Sequence, residues 1–329
     1  MNAISSSDAS AEPLFDQDAS ASLLTVRDYL RYAVSRFQRA DLVYGHGTET
    51  ALDEAAFLIL HTLSLPIDQL EPWLDARLTL RERKALLDVI EKRISTRKPA
   101  PYLVGEAHIQ GYRFHVDERV IVPRSFLGEL LAEGLEGVID HAYRIERILD
   151  LCTGSGCLAI IAADQFPNAS VVATDISEDA LAVAKKNVES YGLVDRVALE
   201  RADLFKGLGT DEVGNGERGV SDLFDLILCN PPYVRSAAVS AFPAEYAAEP
   251  ALAHDGGDDG LDLVHRILAE AKRYVSENGM IVVEIGQERD ALEAAYPDAS
   301  FLWLDTEASS GEVFALTADA LAEIATVNA

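Results

Sequence analysis

The stretch Arg147-Ile-Leu-Asp-Leu-Cys-Thr-Gly-Ser-Gly156 joins a short apolar run to a turn that contains two glycines. A short apolar run that ends at turn residues is typical of a buried strand. The glycines at positions 154 and 156 let the backbone turn tightly and let a ligand approach it closely, at the start of the next helix. This stretch therefore predicts a strand, a ligand-binding turn and a helix in succession.

From this stretch onward, apolar runs alternate with helical patterns, which predicts a Rossmann-like α/β fold with a mostly parallel sheet of seven strands. The last two apolar runs have little between them, so at least one of these strands should run antiparallel. The strands are predicted at residues 147–151, 170–174, 196–200, 223–229, 280–284, 301–304 and 312–316. Helices are predicted at residues 158–165, 178–190 and 261–276, and Gly279 should end the last of them in the C′ position.

The N-terminal part of the chain carries helical patterns instead. Capping-box sequences at Thr25, Thr50 and Thr79 each precede an apolar stripe of helical spacing, which predicts a small helical bundle. Arg93, in the third of these helices, is expected to point to solvent. The sequence Pro99-Ala-Pro101 then breaks the helical pattern, and two short apolar runs around a glycine predict a β-hairpin.

These patterns divide the chain into a disordered tail at 1–20, a helical domain at 21–98, a β-hairpin linker at 99–124 and an α/β domain at 125–329. The tail has no Lys or Arg and few large apolar groups, so no signal peptide is predicted. No apolar stretch is long enough to cross a bilayer, and the glycine-rich, acidic stretch 207–219 indicates a surface insertion. The three cysteines form neither a disulfide framework nor a metal-binding pattern, so we expect a cytoplasmic protein without a metal site.

The 329-residue chain has a formal net charge of −27. This charge argues against direct binding of nucleic acid, because a grip on phosphates needs Lys and Arg. An acidic surface attracts a basic protein partner. The same charge is equally consistent with a role in solubility alone.

A second informative stretch follows the predicted strand at 223–229. It is Asn230-Pro-Pro-Tyr233, which we name the lip. The residue before a proline stays out of the helical region, and two prolines stiffen the turn and remove two amide donors. The lip therefore presents a side-chain amide, carbonyls and a tyrosine ring where α/β sheets bind ligands. It suits a flat, uncharged group with hydrogens on nitrogen; the alternative is a strand that simply ends in a proline turn.

Acidic residues follow two other predicted strands. Asp175, about 20 residues after the glycine turn, suits the hydroxyls of a ribose. Asp203 suits an exocyclic amine, with Leu204 against a flat base. Together these strand ends predict a nucleoside pocket beside the lip. The pattern Gly154-x-Gly156-x-x-Ala159 also satisfies a dinucleotide fingerprint, but no residues for proton or hydride transfer are evident, and a dehydrogenase would leave the lip unexplained.

These motifs resemble those of the class I S-adenosylmethionine-dependent methyltransferases that modify amide or exocyclic amino nitrogens. The domain layout resembles the protein-(glutamine-N5) methyltransferases, in which a helical N-terminal domain joins the catalytic domain through a hairpin. One branch of that family modifies peptide release factors, and the other modifies the third protein of the large ribosomal subunit. The release-factor branch usually has an acidic Pro-Glu-Thr-type segment where Ser125 and Phe126 stand. The sequences at 44–48, 122–125 and 245–250 resemble the ribosomal-protein branch.

The resemblance implies methylation of a glutamine side-chain amide on large-subunit protein 3, with S-adenosylmethionine as the cofactor and the helical domain for substrate recognition. Asn230 and the Pro231 carbonyl would accept the amide hydrogens, and Pro232 and Tyr233 would complete the catalytic lip, with the Tyr233 ring against the amide plane. The cofactor-binding residues that the resemblance implies are Thr153, Gly154, Ser155, Gly156, Asp175, Asp203, Leu204 and Asn230. Relatives with a further glycine at the position of Cys152 differ here, and the two remaining glycines should preserve binding.

The implied chemistry is mainly positioning, with the reacting atoms in line and about 3–3.5 Å apart. No general base is required, and we interpret Glu245 and Glu249 as groups that close a loop. Three alternatives stay open: a release-factor glutamine methyltransferase, a nucleic-acid amino-group methyltransferase and an inactive ribosome-assembly binding module. The expected partner is a basic ribosomal protein, either free or in an assembly intermediate, with no membrane.

Overall fold

The computed structural model describes residues 19, 21–208, 223–306 and 309–327. The predicted tail at 1–20, apart from residue 19, and most of the predicted insertion at 207–219 lie outside the described residues. The chain divides into two compact units, one up to Val104 and one from Gly105 onward. Among the described residues, none of the helices combines the length and the apolar character needed to cross a membrane.

The first unit is a helical bundle with one buried apolar core. The predicted capping boxes at Thr25 and Thr79 are confirmed, because each threonine and the carboxylate three residues later accept hydrogen bonds from each other's backbone amides. Thr50 caps its helix by accepting a hydrogen bond from the Asp53 amide. The helices are α1 (Val26–Arg39), α2 (Ala51–Thr62), α3 (Leu80–Thr96) and α4 (Ala100–Val104).

Arg93 in α3 contradicts the expectation that it points to solvent. Its side chain is fully buried and pairs with Glu54 of α2, with 2.7 Å between Nε and Oε1. It also donates a hydrogen bond to the Val43 carbonyl. Burial raises the pKa of Glu54, and Arg93 opposes that rise. The expectation was wrong because Arg93 lies three residues after the buried Ile90 and therefore shares its face of the helix.

The second unit is built on a seven-stranded sheet with the order β5-β4-β3-β6-β7-β9-β8. Strands β3 to β7 pair in parallel, and β9 runs antiparallel to both of its neighbours. The predicted α/β fold with seven mostly parallel strands is confirmed. The strands are β3 (Arg147–Leu151), β4 (Ser170–Asp175), β5 (Val197–Arg201), β6 (Phe224–Cys229), β7 (Val275–Glu284), β8 (Leu302–Leu304) and β9 (Val313–Thr317).

The chain order reverses at the neighbours β3 and β6, and such a switch point opens a crevice beyond the carboxyl ends of the strands. Most helices of this unit contribute buried apolar side chains. The helices of the unit are α5 (Phe126–Ala132), α6 (Cys157–Gln165), α7 (Glu178–Ser190), α8 (Ser236–Val239), α9 (Asp262–Glu270), α10 (Arg289–Ala295) and α11 (Ala318–Val327).

The expected linker at 99–124 is shared between the two units. Residues 100–104 form α4 in the first unit, since Pro101 lies in the first turn of a helix, where its missing N–H is not needed. The second unit opens with the hairpin of β1 (Glu106–Ile109) and β2 (Tyr112–His115). Asn187 of α7 exchanges hydrogen bonds with the backbone of His115. The hairpin is therefore fastened to the α/β unit.

The predicted helix at 261–276 ends earlier than expected. Helix α9 stops at Glu270 and β7 begins at Val275, so Gly279 lies within a strand and does not end a helix. A Cβ atom on Gly279 would come within 2.8 Å of the Phe224 carbonyl oxygen. The pairing of β6 with β7 is irregular at this point. Gly279 is therefore explained by the close approach of two backbones.

Candidate active site

A cavity of about 280 Å³, the first cavity, lies at the carboxyl ends of β3, β4, β5 and β6. Its walls are the glycine turn, the residues that follow β4 and β5, and the lip after β6. Two further segments close it, one ahead of α5 and one between the lip and α9. The lining residues are Arg119, Val120, Ile121, Cys152, Gly154, Asp175, Ile176, Ser177, Ala180, Ala202, Asp203, Leu204, Asn230, Pro232, Pro250, Leu252, Ala253, Leu263 and Arg266.

The two glycines of the turn have different roles. Gly154 lines the first cavity with φ +56°, and the space beside its Cα is open, so a ligand can approach the backbone there. Gly156 has φ +81°, and a Cβ atom on it would lie 3.2 Å from the Cβ of Ala184 in α7. The absence of a side chain at position 156 therefore lets α7 pack closely against the turn. Cys152 also adopts a left-handed φ of +57°, a conformation that favours glycine.

Thr153 and Ser155, which the sequence predicts as cofactor-binding residues, are buried and do not line the first cavity. The Thr153 hydroxyl donates to Asp150 Oδ2 at 2.5 Å. The Ser155 carbonyl accepts a hydrogen bond of 2.8 Å from Asn187 Nδ2. Both residues support the shape of the turn in this structure.

Asp150, at the end of β3, is a functional candidate that the sequence analysis placed in the motif but not in the site. Its side chain is fully buried, and its Oδ1 has no hydrogen-bond partner within the described ranges. Burial raises the pKa of Asp150 to about 7. An unpartnered buried carboxylate oxygen is costly unless a positive charge lies nearby. Asp150 precedes the cavity-lining Cys152 by two residues, but its own side chain is not among the residues that line the first cavity.

Asp175 and Asp203 line the first cavity, as the sequence predicts for a nucleoside pocket. The Asp175 carboxylate accepts backbone hydrogen bonds from Gly154 and Ser177, each 2.9 Å long. A carboxylate offers about four acceptor positions, so Asp175 retains capacity for hydroxyl groups. Burial raises the pKa of Asp175. Asp203 is held by Arg266, whose Nη2 lies 2.7 Å from Oδ1.

The lip divides its residues between two cavities. Asn230 and Pro232 line the first cavity, whereas Tyr233 lines a neighbouring one. Within the part of the chain that the structure describes, the Asn230 side chain makes no hydrogen bond, so its amide oxygen can accept from a ligand. Pro231 is buried. The Tyr233 hydroxyl donates to Glu284 Oε1 at 3.1 Å, and burial raises the pKa of Tyr233 well above its ordinary value.

Glycines pack directly behind the lip. A Cβ atom on Gly256 would lie 2.8 Å from the Pro232 oxygen, and one on Gly286 would lie 2.7 Å from the Tyr233 ring. The Val234 amide donates to the His254 carbonyl, and the Gly256 amide donates to the Val234 carbonyl. The lip is therefore backed by the loop before α9 and by the turn after β7.

Glu284 and Glu249 are the buried carboxylates that hold these loops. Glu284, at the end of β7, accepts hydrogen bonds from the Ser125 hydroxyl and the Leu127 amide as well as from Tyr233. Burial raises the pKa of Glu284. Glu249 accepts a bidentate pair from Arg124, at 2.7 and 2.6 Å, and a backbone bond from Val122. This geometry supports the interpretation of Glu249 as a loop-closing group.

Sequence reasoning missed Asp150, Glu284 and the cavity wall formed by Arg119, Ile121 and Arg266. Asp150 and Glu284 carry a readable signal, because each is an acidic residue at the carboxyl end of an apolar strand. The three residues of the cavity wall have no such signal in the sequence, because they belong to irregular segments or to the exposed side of a helix. Only the folded chain brings them to one cavity.

Comparison with known proteins agrees with this geometry. A family model described as a methyltransferase domain matches residues 144–310, which contain the glycine turn, Asp175, Asp203 and the lip. The chain is 52% identical over 299 residues to the ribosomal protein uL3 glutamine methyltransferase of Bordetella pertussis, covering 91% of this chain and 97% of the relative. It is 49% identical over 314 residues to the protein of the same name from Bradyrhizobium diazoefficiens, and this match covers 94% of this chain and 95% of the relative.

The fold and the matched domain define this chain as a methyltransferase. At about half identity over nearly its whole length, it belongs to the family of ribosomal protein uL3 glutamine methyltransferases.

Proposed function

We propose that this chain transfers the methyl group of S-adenosylmethionine to the side-chain amide nitrogen of a glutamine in ribosomal protein uL3. The observation that carries the proposal is the position of the lip, which borders the first cavity with an Asn230 amide that has no partner among the described residues. The names of the relatives support the substrate over the release-factor and nucleic-acid alternatives.

The first cavity fits S-adenosylmethionine in its chemistry. The molecule carries positive charge and a nucleoside, and it supplies an electrophilic methyl group on a sulfonium sulfur. Asp150, buried two residues before the cavity-lining Cys152, would favour a positive charge in this cavity when its carboxyl group is ionised. Asp175 offers acceptor positions for ribose hydroxyls, and Leu204 offers an apolar surface for a base. Thr153, Ser155 and Gly156 would act through the turn rather than by direct contact.

The lip would hold the glutamine amide by its hydrogens. Asn230 and the Pro231 carbonyl would accept the two N–H groups, which fixes the nitrogen and raises its electron density. Tyr233 would bound the amide plane, held in place by Glu284. No side chain needs to remove a proton first, and Glu249 is already bound to Arg124 and the Val122 amide.

We also assign substrate recognition to the helical domain at 21–98, with the residues at 99–124 as its connection to the catalytic unit. A basic ribosomal protein, free or in an assembly intermediate, is attracted by a chain with a net charge of −27. With such a substrate, the proposed site of the reaction is the cytoplasm.

The test is to incubate an extract of cells that lack this activity with labelled S-adenosylmethionine and the full-length protein. We expect the label on uL3, identified by mass spectrometry, and no label with Asn230→Ala. Label on a release factor would support a release-factor glutamine methyltransferase, and label on nucleic acid would support a nucleic-acid amino-group methyltransferase. An unlabelled extract, with cofactor binding intact, would support an inactive binding module.

A further inference from the structure

A second cavity, of about 440 Å³, lies on the other side of the lip. It lies at the carboxyl end of β7 and the start of β9, so both cavities are at the end of the sheet where the parallel strands terminate. Its walls include Phe126, Tyr233, the turn at 286–288 and Glu312. The proposed role of the first cavity leaves this space unused.

The second cavity contains a carboxylate, Glu312, that forms no ion pair among the described residues. Arg235 and Glu288, both at its wall, neutralise each other through a bidentate pair with distances of 3.0 and 2.5 Å. Glu312 accepts one hydrogen bond, from the Ser309 hydroxyl to Oε2, and forms no ion pair with any residue that the structure describes. Arg289 is nearby in the chain, but its guanidinium binds Glu293 and lies over the Trp303 ring.

The aromatic walls suit a cation on an apolar stem. Phe126 and Tyr233 are only partly buried, so their surfaces remain available to a ligand. Aromatic faces attract Lys and Arg side chains, and the methylene groups of those side chains pack on apolar surface. Tyr233 is held rigidly by Glu284 and by the backbone of Gly286. Burial raises the pKa of the Tyr233 hydroxyl most, and Glu312 also lies close enough for its charge to raise it, so a cation lying against Tyr233 would be attracted by Glu312.

We propose that the second cavity binds a lysine or arginine side chain of the substrate, from a residue close to the acceptor glutamine. This inference rests on the proposed function, because it requires the glutamine to lie at the lip. The substrate chain then crosses the lip, with its glutamine facing the first cavity and its basic residue in the second. The charge of Glu312 thus selects the sequence around the methylated glutamine.

The enzyme side of the test compares Glu312→Gln with wild type, using unmethylated uL3 as the substrate. We expect KM for uL3 to rise by about tenfold while kcat changes by less than about twofold, because a substrate ion pair is lost without loss of the lip. Glu312→Asp should recover part of the affinity. Glu277→Gln is the matched control, since Glu277 is exposed at the opposite end of β7 and should leave KM unchanged.

Two further measurements separate charge from structure. Ser309→Ala removes the hydrogen bond to Glu312 but keeps its charge, so it should leave KM near the wild-type value. The affinity for S-adenosylmethionine, measured by calorimetry, should be the same in every variant. An unchanged KM in Glu312→Gln, or an equal rise in Glu277→Gln, would overturn the assignment.

The substrate side replaces each Lys or Arg near the acceptor glutamine of uL3 by glutamine, one at a time. One replacement should raise KM by about tenfold for the wild-type enzyme and have little further effect on Glu312→Gln, as expected for coupled partners. Independent, additive effects would contradict the inference, as would the absence of a basic residue near that glutamine. If wild-type enzyme does not methylate uL3 at all, the proposed function itself fails, and that outcome is distinct from any change in KM.

Discussion

The first and second cavities lie on opposite sides of the lip, and their walls are held together in different ways. One wall of the first cavity consists of turns at neighbouring strand ends, which are joined by bonds such as the one from the Gly154 amide to Asp175, 21 residues later. Around the second cavity, the Ser125 hydroxyl reaches Glu284 across 159 residues. Glu249 and Arg124, which are 125 residues apart, hold the loop that backs the lip and that also supplies Pro250 to the other wall of the first cavity.

This difference shows which parts of such a site are local in the sequence. A cavity that binds a nucleoside can be built from strand ends and their turns, because parallel strands bring those turns together. The loops around the lip are instead fixed by buried carboxylates that each accept several hydrogen bonds, as a surface proposed to receive a protein substrate requires. Changes on the two sides of the lip should therefore have different kinetic signatures.

The largest effect is expected from Asn230→Ala, which removes the acceptor between the two cavities. We expect kcat to fall by about 10³, as for the loss of a group that acts on the reacting amide. The affinity for S-adenosylmethionine should stay close to wild type, because Asn230 is one of many groups around the first cavity. Single-turnover methyl transfer and calorimetry check the two parts. A variant that methylates uL3 normally would remove Asn230 from the reaction.

Asp175→Ala should weaken the binding of S-adenosylmethionine without affecting the binding of uL3. The variant loses two backbone hydrogen bonds and the acceptors for a ribose, so the dissociation constant for S-adenosylmethionine should rise by about 100-fold. The KM for uL3 should change little. The control is Asp225→Ala, because Asp225 lies at the amino end of β6, away from the carboxyl ends of the strands that form the first cavity. Equal cofactor affinity in Asp175→Ala and wild type would refute the ribose assignment.

Asp150 should make cofactor binding depend on pH. Because burial raises the pKa of Asp150 to about 7, the group is largely neutral below that pH and must lose its proton to support a cation. Affinity should therefore rise by up to about tenfold per pH unit between about pH 5.5 and 7, as expected for one linked proton. Calorimetry checks this slope, and Asp150→Asn should abolish it. A wild-type affinity that does not change with pH would contradict this role.

The same group has the opposite effect on the stability of the ligand-free protein. Its pKa is raised in the folded state, so the folded chain keeps a proton that the unfolded chain releases. Stability from this group therefore falls as the pH rises from the ordinary value of 3.8 to about 7. Cofactor binding should reverse that loss, because it favours the ionised carboxylate.

Tyr233→Phe should give the smallest of these effects. It keeps the ring and removes only the hydroxyl that donates to the buried Glu284, which costs about 1 kcal/mol of stability. We expect kcat to fall by about fivefold, with unchanged cofactor affinity, because the lip loses one anchor. Chemical denaturation and steady-state kinetics measure the two changes. A variant with wild-type stability would show that the hydrogen bond to Glu284 does not hold the lip.

The sequence predicted the parts of the molecule that depend on local pattern. Strand β3, the glycine turn and the lip could be read directly, because apolar runs and proline or glycine turns have strong local preferences. The α/β fold followed from their order. Gly279 misled the prediction, because a glycine after a helical pattern resembles a cap, whereas here it permits two strands to approach.

Side-chain pairs between distant segments could not be predicted in this way. Nothing near Arg93 in the sequence indicates that Glu54 is its partner, and the same holds for Arg124 and Glu249. These pairs exist because burial of one charge requires the other. The division of the lip, with Asn230 and Tyr233 in different cavities, also appears only when the sheet edge is assembled.

The central claim is that a glutamine carboxamide is held at the lip beside the methyl donor. Tandem mass spectrometry of uL3, after reaction with the wild-type protein and isotopically labelled S-adenosylmethionine, tests this most directly. We predict one labelled methyl group on the side-chain nitrogen of a single glutamine, absent after reaction with Asn230→Ala. A label on any other kind of side chain, or an equal label with Asn230→Ala, would contradict the claim.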